Sequence, residues 1–450
     1  MSAGDVSRWK ASGLVIPTVI VAISLVLISL GPMPVAASTF RIYRLGTYDA
    51  ANPVRALDIS EDGRWLIAGA MNTQATDGGL YLFDFDYLPS PIAPNWTNTH
   101  VVPYDDWVWG SSRPVAISVD GKYFGAGLKA NSDVGAACQS NATVGGCVQY
   151  YYHDIDANSV SLKWQKNLTS AVPSVDVATV IASSGSPAVA AGSGTYVKVY
   201  THAGNLYWET TISYTVHHVR LSRDGTYLAV SSIATQGFDA TVYFFKKNAT
   251  AYAQLWSYTG NAEVLNIDLS EDGLLLAAGE DHSNWNYAIP SNLTHFWPGT
   301  DGWDSGDGTP CMRYVKPDDI YAVAVAQNIT IQNATQISVR SLVGRSQGGD
   351  SYAEQHIVCD DDSSNEWTMS SHSLSVDMSV ADCPSGTSCF GVAAGSDYYV
   401  SLFREGDSSV SRDRTGGLVH ALVASHEYSP QFAAGSDDGY VYFYTAIVTP

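Results

Sequence analysis

The sequence predicts an all-β fold, a β-propeller, preceded by an N-terminal signal or transmembrane helix. Three observations carry that reading: a strand–turn–strand pattern that recurs along the chain, a composition rich in turn formers and poor in charge, and one apolar stretch near the start.

The repeat comes first, because self-similarity at a fixed period decides the architecture. Val54 to Gly63 reads VRALDISEDG and is followed by RWLIAG. Val264 to Gly273 reads VLNIDLSEDG, then LLLAAG, and Val216 to Gly225 reads VHHVRLSRDG, then TYLAVS. Looser copies begin at Pro114, Val175, Leu374 and Leu418. In each copy an alternating apolar run makes a strand, Asp-Gly makes a tight turn, and a second apolar run ending in small residues returns. The Asp-Gly pairs at Asp62, Asp120, Asp224 and Asp272 are therefore read as turn residues. A third strand follows at LYLF (80–83), YVKVY (196–200), TVYFF (241–245), YVSLF (399–403) and YVYFY (440–444). A fourth often carries tryptophan shortly before the next copy, at Trp164, Trp208, Trp256 and Trp367. Four strands per unit, repeated radially, define a propeller blade.

Residues 320–326 with 336–340 read as a degenerate blade without an Asp-Gly turn, which makes eight blades, with seven as the fallback. The division expected is residues 1–37 as signal peptide or membrane anchor and 38–450 as propeller. The last copy supplies only three strands, so FRIYR (40–44) is expected to close the ring as the outer strand of the last blade, over residues 40–46. Closure of this kind hides an edge that would otherwise pair with other chains.

Composition agrees. Glycine (39) and tyrosine (27) are abundant, and charged residues reach 15% against about 25% in ordinary globular proteins. The formal charge of −21 comes without a basic run, which excludes nucleic acid as a partner, since phosphate binding needs clustered Lys and Arg.

Arg8 and Lys10 precede an apolar stretch from Leu14 to Leu30, and no charge recurs until Arg41. That asymmetry places the N-terminus in the cytoplasm and the rest outside. Small residues at Val35 and Ala37 would allow cleavage before Ser38, so a cleaved signal and a retained membrane anchor both stay open. Six cysteines in an exported chain imply disulfides. Cys138 with Cys147 and Cys383 with Cys389 bracket short loops, leaving Cys311 for Cys359. Glycan acceptors of the Asn-x-Ser/Thr type stand at Asn95, Asn141, Asn167, Asn248, Asn292, Asn328 and Asn333.

The repeated units resemble WD-repeat blades and the quinoprotein-type (PQQ-like) repeats of exported archaeal and bacterial proteins, over roughly residues 40 to 450. The resemblance implies the fold and leaves function open, because such propellers host many activities. Quinoproteins of this type carry an adjacent Cys-Cys pair, which is missing here, so no quinone or other cofactor is expected.

Candidate chemistry is sparse. Asp58, Asp176, Asp268 and Asp377 recur on first strands, with Arg220 in the same place in another copy. They could ring a cation, but bonding to neighbouring backbone is the simpler role, since buried polar groups need partners. His217 and His218 are adjacent on a predicted strand and should point to opposite faces, unable to share a metal. The acidic loop Asp301, Asp304, Asp307 offers oxygens without the EF-hand spacing. No metal site is assigned, and no hydrolase elbow or zinc motif occurs.

The functional lead is loop length. Second-to-third connections are long, and a stretch read as an insert between blades five and six carries Trp285, Trp297 and Trp303. Flat rings beside polar groups suit a glycan or a protein partner, with filling of gaps between blades as the competing reading. The function expected is a non-catalytic interaction, scaffold or adhesion propeller of the cell envelope, extracytoplasmic, secreted or held to the membrane by its N-terminal segment. The alternative is an exported enzyme with a metal or cofactor in the channel.

Overall fold

A computed structural model describes residues 39–449, with the exception of 73–76, 100, 102, 104–112, 131–137, 139–143, 180–184, 235–238, 282–290, 298–309, 317–318, 326–329, 332–336, 348–349, 359–364, 371–374, 380–389, 396–397, 405–409 and 426–430. The N-terminal segment expected to target the membrane lies outside the described residues, as do Trp285, Trp303 and the acidic loop at 301–307. Among the described residues the only helix is a single 3₁₀ turn, Phe85–Tyr87, and no helix is long and apolar enough to cross a membrane.

Antiparallel four-stranded sets follow one another along the chain. Their first strands are Val54–Ile59, Val115–Ile117, Ser174–Val177, Thr215–Leu221, Val264–Leu269, Asp319–Val325, Ser375–Ser379 and Val419–Ala424. Each first strand packs beside the next, and Val419–Ala424 packs beside Val54–Ile59, so the eight form a closed ring. The fourth and fifth blades share one bridge, Ile233 to Val264, which joins them into an eight-stranded sheet. The ring belongs to the compact unit Phe40–Ile447.

The last blade runs Thr39–Asp49, Tyr440–Thr449, Gln431–Ser436, Val419–Ala424, with the N-terminal strand outermost. Ile42 and Arg44, the latter also bonded to the Arg414 carbonyl, tie that strand sideways to the seventh blade. Ile42 N–H donates to Ser411 Oγ at 2.9 Å, and Arg44 Nε donates to Asp413 Oδ2 at 2.6 Å while its guanidinium lies 4.9 Å from the Tyr442 ring.

Burial runs outward from the channel. The second strands Trp65–Met71 and Pro187–Ser193 are buried at every position, because sheets of neighbouring blades cover both faces. That explains their unbroken apolar and small-residue runs. The outer strand Ser159–Leu168 is largely exposed and polar. The glycine ending each small-residue run sits where the next blade crosses: a Cβ on Gly192 would strike Val216, one on Gly279 would strike Ile320, and one on Gly435 would strike Val54.

The first-to-second turns of the first, second, fourth and fifth blades share a Ser-x-Asp-Gly construction. Ser60 Oγ donates to Asp62 Oδ1 at 2.6 Å and accepts from Trp65 N–H at 2.9 Å, and Gly63 takes φ 73°. Ser118 with Asp120, Ser222 with Asp224, and Ser270 with Asp272 repeat the arrangement.

One expectation about organisation is corrected. The aromatic-rich stretch is not an insert between blades five and six: Ser291–Phe296 is the third strand of the fifth blade and Met312–Lys316 its fourth. Trp297, which directly follows that fully buried strand, is only 9% exposed. A binding role on the surface is therefore withdrawn for Trp297, since its indole packs inside the blade region.

Candidate functional site

The inner edge of a propeller leaves backbone N–H groups of its first strands without a ladder partner, and buried N–H groups require one. Side chains of the preceding blade supply it. Ile117 N–H donates to Asp58 Oδ2 at 2.7 Å, Leu221 N–H to Asp176 Oδ2 at 2.6 Å, and Val325 N–H to Asp268 Oδ2 at 3.0 Å. Between them, Val219 N–H donates to Ser174 Oγ at 3.0 Å and Ile267 N–H to His218 Nδ1 at 3.4 Å. The recurrent aspartates are thus blade-to-blade stitches, on the first, third and fifth blades. Asp377 takes a place on the first strand of the seventh blade, opposite Val392.

Asp58, Asp176 and Asp268 line a channel cavity of about 120 Å³. Arg220 Nε donates to Asp268 Oδ1 at 3.1 Å, and Arg113 Nη1 approaches that oxygen at 3.6 Å. Burial pushes the Asp58 carboxyl up to about 7, opposed by the Ile117 N–H and Arg113. Burial raises Asp176 to about 8, opposed by the Leu221 N–H, with the nearby Asp58 adding to the rise.

Toward the turns a second layer appears that the sequence reading missed. The second residue of each Ser-x-Asp-Gly turn faces the channel: Glu61, Val119, Arg223 and Glu271 all line it. Arg223 Nη1 lies 3.3 Å from Glu61 Oε2 and 3.4 Å from Glu271 Oε2, linking the first, fourth and fifth blades. Backbone bonds join the turns as well, from Glu61 N–H to Val119 O at 3.2 Å and from Arg223 N–H to Glu271 O at 2.6 Å. Burial, with help from Glu61, raises Glu271 to about 7. The signal was present in the motif, where one variable position between invariant turn residues alternates Glu, Val, Arg and Glu.

The two histidines depart from expectation. A register shift between Val216 and His218 breaks the strict alternation, so the rings of His217 and His218 meet at 4.3 Å instead of pointing apart. Both are buried, and burial lowers His217 to about 3. Among the described residues no group of three or more His, Cys, Asp or Glu side chains could hold a metal ion.

Cys138 and Cys147 are bonded, with Cα atoms 6.0 Å apart. Cys311 also stands in a disulfide, while Cys359, Cys383 and Cys389 lie outside the described residues. Of the glycan acceptors, Asn167 and Asn248 are exposed. Asn95 is half-buried, its amide oxygen accepting from Asp84 N–H at 3.0 Å. Asn292 is a correction: it is buried and bonds the Glu280 carboxylate at 2.5 Å, so the folded chain does not present it. Asn141, Asn328 and Asn333 lie outside the described residues.

Residues 42–84 match the WD domain, G-beta repeat, a span that joins the closing strand to the first three strands of the first blade. The structure is similar to that of Saccharomyces cerevisiae Sqt1, with TM-score 0.59, 11% identity, and coverage of 91% of this chain and 100% of that one. It is similar also to the Dos1 propeller, with TM-score 0.56, 9% identity, and coverage of 90% and 95%. No curated protein matches the chain. Sheet order, closed ring and structural likeness together make this chain an all-β propeller, of which residues 42–84 match a WD-type repeat.

Proposed function

We propose that this propeller is a non-catalytic interaction scaffold of the cell envelope, displayed outside the cytoplasm to a protein or glycan partner. The carrying observation is the inequality of the two faces over the first, second, fourth and fifth blades. On one, the first-to-second connections are tight turns closed by their own Ser and Asp side chains. On the other, the second-to-third connections lengthen, most of all between Tyr123–Lys129 and Gly146–Asp154. Binding residues concentrate on such connections over a rigid scaffold. The match to a WD domain supports the scaffold reading. The Cys138–Cys147 bond, which fastens the longest connection to its strand, supports an oxidising compartment. The inner-strand carboxylates serve packing, which leaves the surface as the place for recognition.

The test is cross-linking and capture from native envelope with the full chain, beside a variant whose residues 131–137 are replaced by Gly and Ser. Loss of the captured partner in the variant, with thermal melting unchanged, is the expected result. Equal capture by both chains, or protection of the propeller from protease added to intact cells, would overturn the reading.

A further inference from the structure

The channel cavity has unequal hydrogen-bonding capacity. Each of its aspartates already accepts two N–H bonds: Asp58 from Ile117 and Ile59, Asp176 from Leu221 and Val177, and Asp268 from Arg220 and Val325. The donors are less fully engaged. Arg113, with its side chain 35% exposed on the cavity wall, comes no closer to Asp268 than 3.6 Å. Behind it Arg220 is more than nine-tenths buried, and its Nη2 has no acceptor among the described residues. Five N–H donors on each guanidinium make such a shortage of acceptors a call for a ligand oxygen.

We propose that the cavity binds one small organic monoanion, a carboxylate of about acetate size, at Arg113 with Arg220 lending charge from behind. Arginine suits a carboxylate because its planar fork matches two oxygens at once. The carboxylates of Asp58, Asp176 and Asp268, which share this layer with Arg113 and Arg220, already accept N–H bonds.

Charge agrees with the bonding count. Burial holds protons on Asp58 and Asp176 near neutrality, and this layer then sets Arg113 and Arg220 against Asp268 alone, a net positive site. Those protonated carboxyls also become donors toward the cavity. One layer nearer the turns, Arg223 stands between Glu61 and Glu271, and Glu271 is itself pushed up by burial, so that layer adds little negative charge below neutral pH. Anion uptake and proton uptake are therefore linked, and affinity rises as pH falls from 8 to 6.

The experiment is equilibrium dialysis of the full chain against labelled acetate, at pH 6 and pH 8 in constant chloride. One saturable site is expected, about tenfold tighter at pH 6, as one coupled proton allows. R113Q should weaken binding by about tenfold or more with melting unchanged. The double variant D58N/D176N replaces the protonated carboxyls by neutral amides and should bind at pH 8 as the parent binds at pH 6. This second variant keeps the test sharp should R113Q fold poorly. No saturable uptake at pH 6, or an undiminished pH dependence in D58N/D176N, would overturn the site. Displacement of acetate by equimolar chloride would overturn the carboxylate assignment. Neither readout involves partner capture, so failure here is distinct from failure of the scaffold reading.

Discussion

The carboxylate of Asp58 accepts the Ile117 N–H at 2.7 Å across the boundary between the first and second blades. This one bond satisfies a backbone group that no sheet ladder reaches. It recurs at Asp176 and Asp268, so the ring is closed by polar stitches as well as by apolar packing.

Replacing Asp58 by Ala leaves the Ile117 N–H unpaired. The expected loss is about 1–3 kcal/mol, the penalty for an unsatisfied buried group. Asp58→Asn keeps an acceptor and should lose clearly less. Urea unfolding of the three proteins measures the difference, and equal stability of Asp58→Ala and parent would contradict the stitch.

Stability should fall as pH rises from 6.5 to 8. Burial raises Asp58 to about 7, Asp176 to about 8 and Glu271 to about 7, above their unfolded values near 4. The folded chain then binds more protons than the unfolded one, so stability present at low pH is lost as pH climbs through the folded values. The buried His153 and His217 and the half-buried His202 are shifted down and act oppositely, but only below their unfolded value of about 6.5. Thermal melts across that window should show a downward slope that D58N/D176N flattens. A rising slope in the parent would refute the assignment.

Removal of residues 39–48 strips the outer strand from the last blade and exposes the edge of Tyr440–Thr449. A large drop in melting temperature and a tendency to associate are expected, because an open edge pairs with other chains. Arg44→Ala removes the links to Asp413 and the Arg414 carbonyl and the contacts with the Tyr442 and Tyr444 rings, a loss of about 0.5–2 kcal/mol. Calorimetry distinguishes the two, and equal melting of the truncated and full chains would exclude closure by this strand.

Two turn glycines should respond unequally to alanine. Gly121 and Gly225 both have positive φ, 68° and 66°, so each pays about 1–2 kcal/mol for a side chain in that region. A Cβ on Gly121 also collides with the Trp65 indole, whereas on Gly225 the nearest atoms lie 3.5 Å away. Gly121→Ala should lose a further 1–3 kcal/mol or so, the usual penalty of overpacking. Denaturant midpoints that are equal for both variants would show that the indole yields freely.

The blades were legible in the sequence because their determinants are local. Alternation over a few residues, Asp-Gly with its preceding Ser, and small residues closing the return strand all act within one hairpin. A run of two valines and three alternating alanines at 320–326 sufficed to mark the sixth blade without its turn. The aromatic stretch misled because tryptophan beside Asn and Asp reads as surface, and only the register of Ser291–Phe296 on its neighbours buries Trp297. Adjacent histidines misled for a related reason, since a one-residue bulge reverses the expected facing.

By itself, then, the sequence determined an all-β chain of repeated four-stranded units, its turns and the residues of its inner strands. Tertiary structure alone decided the channel. Glu61 meets Arg223, and Arg113 meets Asp268, only after the ring has brought distant blades around one axis. No local spacing encodes such a meeting, because these residues are far apart along the chain and become neighbours through closure. The charge balance of that cavity, and with it the protonation of Asp58 and Asp176, belongs to the ring as a whole.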